Sequence, residues 1–121
     1  MDKVILVTGF EPFGGDEINP SWEAVRRLPD HLEDWEIRKR CLPVVYGKAP
    51  EIVIKEAEEG KPQMILCTGL ASGREQMTPE MIGINLRSAK SPDNSGTVLR
   101  DVKINEDGPD GIFSDLPVRA M

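Results

Sequence analysis

Lys3-Val4-Ile5-Leu6-Val7-Thr8-Gly9 decides the fold. Its apolar residues run on without alternation, which predicts a strand buried on both faces and closed by glycine. Gln63-Met64-Ile65-Leu66-Cys67-Thr68, again followed by glycine, reads as a second buried strand. Between them, Asn19-Pro20 supplies a helix start. The asparagine side chain can accept from the orphan N–H groups of the first turn, and proline at the first helical position wastes no donor. Trp22, Val25 and Leu28 follow at helical spacing, and Pro29 stops the segment. Residues 35–42 carry Arg38, Lys39 and Arg40, alternate weakly and precede Pro43, as a strand nearer a sheet edge does. Residues 49–59 predict a helix with Ile52 and Ile54 among acids, a Glu51–Lys55 pair and Gly60 as its stop. Strand, helix, strand, helix, strand in this order predicts a mostly parallel sheet with right-handed crossovers.

Beyond Gly69 the texture changes. Residues 69–74 are too rich in glycine to start a helix. Met81-Ile82-Gly83-Ile84-Asn85-Leu86 reads as a strand, Ser91-Pro92-Asp93-Asn94-Ser95-Gly96 as a turn, and residues 97–104 as another strand. Asp115-Leu116-Pro117 places an acid and a proline where a helix would begin, and about one turn follows. A helix that short neither nucleates nor packs, so the expectation is one incomplete α/β domain over residues 1–121.

The chain has 121 residues, 39% of them hydrophobic, and a formal charge of −6. A chain this long can bury roughly two-thirds of its unfolded surface. The acidic balance argues against a nucleic-acid partner, since no basic surplus exists to displace counterions. No apolar run approaches the ~18 residues of a membrane span, and Asp2 and Lys3 lead straight into the first strand rather than into a signal peptide. Cys41 and Cys67, 26 residues apart, read as reduced thiols in a cytoplasmic protein.

Gly9-Phe10-Glu11-Pro12-Phe13-Gly14-Gly15 follows the first strand, where α/β proteins bind ligands. It fits neither a dinucleotide fingerprint nor a phosphate loop. Two of the three phenylalanines lie here, three apart. Local chemistry favours a loop pinned to the core by two aromatics over an apolar pocket for a neutral ligand. Cys67 as a nucleophile would need a neighbouring base, and His31, the one histidine, lies in an acidic loop. A core thiol and a surface histidine are the better reading, and one histidine with two separated cysteines makes no metal site. Glu80, in Thr78-Pro79-Glu80, is locally one of 21 acids.

Together these segments resemble the class I pyroglutamyl peptidases, also called pyrrolidone-carboxylate peptidases. The resemblance runs through residues 6–15 and 19–25, resumes at 69–74, Thr78-Pro79-Glu80, Ile84-Asn85-Leu86 and Pro92-Asp93-Asn94, and ends with Gly108-Pro109 and Leu116-Pro117. It implies a three-layer α/β/α sandwich and a cysteine peptidase that removes N-terminal pyroglutamyl residues through a Cys–His–Glu triad, without metal or cofactor. It also implies a cytoplasmic homo-oligomer, commonly a tetramer. Glu80 maps onto the triad acid, Phe10 and Phe13 onto the lactam pocket, and Leu70 onto a substrate-contacting position where the family usually has glutamine. Met81 and Lys90 replace residues that are usually basic and Arg, respectively. The family's nucleophile and histidine lie on later segments, and Cys41, Cys67 and His31 match neither. The resemblance is therefore to the N-terminal portion of such an enzyme. The competing reading is a non-catalytic binding or regulatory module that keeps the pocket, and a weaker one is a generic α/β domain whose loops bind something else.

Overall fold

A computed structural model describes residues 3–121, which form two compact units. The first holds the described residues up to Ala71 together with Asp93–Thr97; the second holds Ser72–Pro92 and Val98–Met121.

The first unit is built from β1 (Lys3–Phe10), α1 (Pro20–Arg26), β2 (His31–Leu32), β3 (Trp35–Leu42), α2 (Lys48–Gly60) and β4 (Met64–Cys67). Its sheet has the order β2-β3-β1-β4. β1 runs parallel to both neighbours, with Lys3 opposite Trp35, Phe10 opposite Leu42, Ile5 opposite Met64 and Thr8 opposite Cys67, while β2 joins β3 antiparallel. The apolar run thus occupies the centre: Val4, Leu6 and Val7 are buried with Val25 and Leu42.

Helices cover both faces. Successive strand residues point to opposite sides, and the three cations of β3 show which helix lies where. Lys39 reaches the Leu28 carbonyl just beyond α1 and pairs with Asp30 at 3.1 Å. Arg38 and Arg40 project the other way, to the Gly60 carbonyl at 3.3 Å and to Glu56 at 2.6 Å on α2. Arg38 thereby sets a positive charge at the carbonyl end of the helix, where the macrodipole favours it. The chain leaves β1 for β3 on one side and returns to β4 on the other. This three-layer arrangement reverses strand order at the carboxyl ends of β1 and β4, the place where open α/β sheets bind ligands.

Several expectations need correction. β4 is a half-exposed edge among the described residues, with Met64 37% exposed. Its apolar run could not reveal which strands flank it. Cys67 is consequently exposed, not a core thiol. The half-buried stripe of α2 is Ala49, Ile52, Val53, Glu56 and Ala57, and Ile54 faces outward. α2 ends at Gly60 as read, but its left-handed C-cap is Lys61 rather than the glycine, and Pro62 disfavours continuing the right-handed helix through the residue before it.

The second unit contains β5 (Ile82–Ile84), paired antiparallel with β6 (Gly111–Phe113), and a 3-10 turn (Val118–Ala120). Residues 97–104 do not form the expected strand. Only an Arg87–Val102 bridge forms there, and Asp101 next to it is left-handed at φ 53°. The true partner, β6, has three residues and no alternation to betray it.

Candidate active site

Gly9 fixes how α1 meets β1. An ideal Cβ there would lie 2.8 Å from the Trp22 Cα and N and 2.9 Å from the Ser21 carbonyl carbon, so only glycine lets the helix start come this close. The contact is then stitched by polar groups. Asn19 is the N-cap, accepting from the Ser21 N–H at 3.0 Å and the Ser21 hydroxyl at 2.8 Å, while its amide donates to the Glu11 carbonyl at 3.0 Å. The Phe10 N–H donates to Ser21 Oγ at 3.0 Å. Phe10 therefore leaves the strand with its backbone anchored.

Across the sheet, Thr68 extends the β1–β4 ladder by one residue, donating its N–H and its hydroxyl to the Thr8 carbonyl at 2.9 and 2.7 Å. That sets Gly69 beside Phe10, since a Cβ on Gly69 would lie 3.9 Å from the Phe10 ring. Phe10 and Phe13 are half-buried, and Leu70 is 36% exposed. The structure thus places Phe10 at the end of β1, Phe13 on the loop after it and Leu70 on the loop after β4, at the strand-order reversal.

Three polar residues given no individual role on sequence grounds hold this end of the unit. The Glu11 carboxylate accepts from the Val44 N–H and from the Asn94 amide, both at 3.0 Å. The same Asn94 amide donates to the Pro12 carbonyl at 2.9 Å. The Asp93 carboxylate accepts from the backbone of Tyr46, Ser95 and Thr97 and from the Ser95 hydroxyl, at 2.7 to 2.9 Å. Desolvation alone would raise the Asp93 pKa, but these donors outweigh it and hold the group at about 2. The available signal was the turn cluster at 91–96, which marks a turn without saying what it docks on.

Glu80 belongs to the second unit, on an exposed segment. Arg74 donates to Thr78 Oγ1 at 2.7 Å and to Glu80 at 3.2 Å. With side chains 52% and 75% exposed, this ion pair contributes little to stability. Met81 and Lys90 are exposed as well. His31, on β2, is exposed, and both cysteines are free. The Cys41 thiol is pushed up by desolvation and then by the Glu11 charge, the opposite of what a nucleophile needs. Among the described residues no cluster of three or more His, Cys, Asp or Glu could hold a metal ion, and no helix is long and apolar enough to cross a membrane.

The family model described as pyroglutamyl peptidase matches residues 3–121. The pyrrolidone-carboxylate peptidases of Thermococcus onnurineus and Lactobacillus helveticus are 47% and 46% identical over 117 residues, covering 97% of this chain and 58% of each relative. Among solved structures, pyroglutamyl peptidase I from Bacillus amyloliquefaciens matches with a TM-score of 0.92 at 39% identity, over 98% of this chain and 57% of that one. The pyrrolidone carboxyl peptidase of Pyrococcus furiosus matches with 0.92 at 42% identity, over 97% and 57%. The chain thus spans somewhat under three-fifths of the length of the relatives it matches. A match of this extent, carried by the strands and loops described above, places the chain in the pyroglutamyl peptidase family.

Proposed function

We propose that this chain provides the lactam pocket and the triad carboxylate of a cysteine peptidase that removes N-terminal pyroglutamyl residues from peptides. The observation that carries the reading is the Phe10 ring seated against Gly69 at the strand-order reversal, with Phe13 and Leu70 on the loops after β1 and β4. The pyroglutamyl residue, its carboxyl tied up in the peptide bond, is a flat, uncharged lactam. An aromatic slot with backbone polar groups suits it better than a charged residue would.

The chemistry is acyl transfer. A cysteine thiol gives its proton to a histidine as its sulfur attacks the scissile carbonyl, the histidine passes that proton to the departing amine, water then hydrolyses the acyl-enzyme, and Glu80 holds the imidazole in the productive tautomer. In the family the cysteine and histidine come from segments that align with nothing in this chain. Cys41, Cys67 and His31 do not replace them, so the chain alone does not turn over substrate. The reading includes a cytoplasmic homo-oligomeric enzyme, a tetramer by family pattern, with residues 1–121 as part of one α/β domain that needs no metal or cofactor. A pocket without a nucleophile is also what a non-catalytic binding module would keep; binding without turnover in any longer form of the protein would favour it.

Titrating the isotope-labelled chain with pyroglutamyl amide tests the pocket. Amide shifts at Phe10, Phe13, Gly69 and Leu70 are expected. Shifts confined to the apolar groove lined by Met81, Phe113, Leu116 and Val118 in the second unit would refute it.

A further inference from the structure

Phe10 is held by the strand and by Ser21, but Phe13 lies three residues further on, where no ladder runs. Pro12 fixes its own φ and Asn19 holds the Glu11 carbonyl, but two left-handed glycines, Gly14 at φ 65° and Gly15 at φ 83°, follow Phe13, and none of these holds the Pro12 carbonyl between the rings. Something else must set the spacing of the two rings.

The turn at Asp93–Thr97 does this. Its Asn94 amide nitrogen carries two hydrogens and uses both: one goes to Glu11 Oε1 at 3.0 Å, the other to the Pro12 carbonyl at 2.9 Å. Glu11 and Pro12 are the two residues between the phenylalanines. Glu11 is tied in turn to the end of β3, through its N–H to the Leu42 carbonyl at 3.0 Å, and to the loop after it, through its carboxylate to the Val44 N–H. The turn is docked on that same loop, with the Asn94 N–H on the Val44 carbonyl at 2.8 Å and the Tyr46 N–H on the Asp93 carboxylate at 2.9 Å. The donor and its two acceptors are therefore fixed against one common support.

We propose that Asn94 is a positioning residue for ligand recognition: acting through Glu11 and Pro12, its amide holds Phe10 and Phe13 at the spacing a flat neutral lactam requires. The inference rests on the reading of those two rings as the lactam slot. Its physical content is preorganisation, because ordering residues 11 and 12 before the ligand arrives removes that cost from binding.

The test is the affinity of pyroglutamyl amide for the full chain and its variants, read with amide hydrogen exchange. Asn94→Ala removes both donors and is expected to weaken binding about tenfold, since two ordinary hydrogen bonds are lost. Exchange should quicken at residues 11–15 while β1 and β3 keep their protection. Asn94→Asp, of equal size, should do no better, because it sets a second carboxylate against Glu11. Glu11→Gln keeps the acceptor oxygen and should bind within about threefold of wild type. Glu11→Ala should lose as much as Asn94→Ala, and it leaves the Asp93 turn intact if the Asn94 variants fold poorly. Wild-type affinity in Asn94→Ala and Glu11→Ala would overturn the positioning role alone. So would loss of protection throughout β1 and β3 in step with affinity, which marks a merely structural contact. A wild-type chain that shows no shifts at Phe10 or Phe13 would overturn the pocket reading, and this inference with it.

Discussion

Replacing Gly9 with alanine asks whether the close approach of α1 to β1 really sets the site. The added methyl carbon would sit 2.8 Å from two backbone atoms of Trp22 and 2.9 Å from one of Ser21. Carbon contacts are comfortable near 3.5–4.0 Å, so the overlap approaches 1 Å against main chain that no rotamer change can move. Either the helix start retreats or the strand bends, and both break the geometry of the Phe10 to Ser21 hydrogen bond. Overpacking of a tight core costs about 1–3 kcal/mol. With three backbone atoms involved, the upper end is expected, about 3 kcal/mol, measured as the shift in a urea unfolding transition followed by tryptophan fluorescence. Gly60→Ala is the control in the same unit. Its Cβ meets only the Arg38 guanidinium tip, at 2.6 Å, which can swing away. The helix-propensity gain of up to ~1 kcal/mol should offset the lost contact and leave that variant near wild type. A Gly9→Ala chain as stable as Gly60→Ala would refute the reasoning.

Asn19→Ala should cost about 2 kcal/mol in the same assay, because the buried N-cap is lost and the Ser21 donors lose their acceptor. Glu11→Gln removes a negative charge near Cys41 and should lower that thiol's pKa, seen as faster alkylation at a fixed mildly alkaline pH; an unchanged rate would show that desolvation alone raises it. The depressed pKa of Asp93, about 2 against an ordinary 3.8, means its carboxylate stabilises the fold above pH ~4 and that this contribution fades as pH falls toward 2. Asp93→Asn should therefore be less stable at neutral pH and show a shallower loss of stability between pH 4 and 2, whereas identical acid profiles would contradict the hydrogen-bonding account.

The central strands and their helices were legible because their signals are local. Val4 to Val7 form an unbroken apolar run, Asn19-Pro20 is a start signal with a mechanism, and the structure places both as read. Neighbour-dependent properties were not legible. Met64 and Cys67 belong to an apolar run like that of β1, yet they are exposed because, among the described residues, β4 has a strand on one side only. Thr97 to Ile104 alternates, yet left-handed Asp101 interrupts it, and the pairing falls to Gly111-Ile112-Phe113. At the site, Phe10 and Phe13 stood out as aromatics in a turning loop. Asn94 did not, because its partners Glu11 and Pro12 lie more than 80 residues away in sequence. Glu80 gains no distinction from its surroundings, being an exposed acid paired with Arg74. Only the family motif singles it out.

The most direct measurement is initial-rate kinetics on a pyroglutamyl chromogenic substrate, using an enzyme of full family length in which this chain is joined to the remaining segments of a relative. On the proposed assignment, Glu80→Gln keeps size and hydrogen-bonding reach but removes the charge proposed to stabilise the imidazolium, so kcat should fall by roughly two to four orders of magnitude with KM changing much less. Phe13→Ala empties the slot instead, and its loss in kcat/KM, about 1–3 kcal/mol, should lie mainly in binding. A nearly silent Glu80→Gln beside a crippling Glu75→Gln would contradict the assignment of the triad acid.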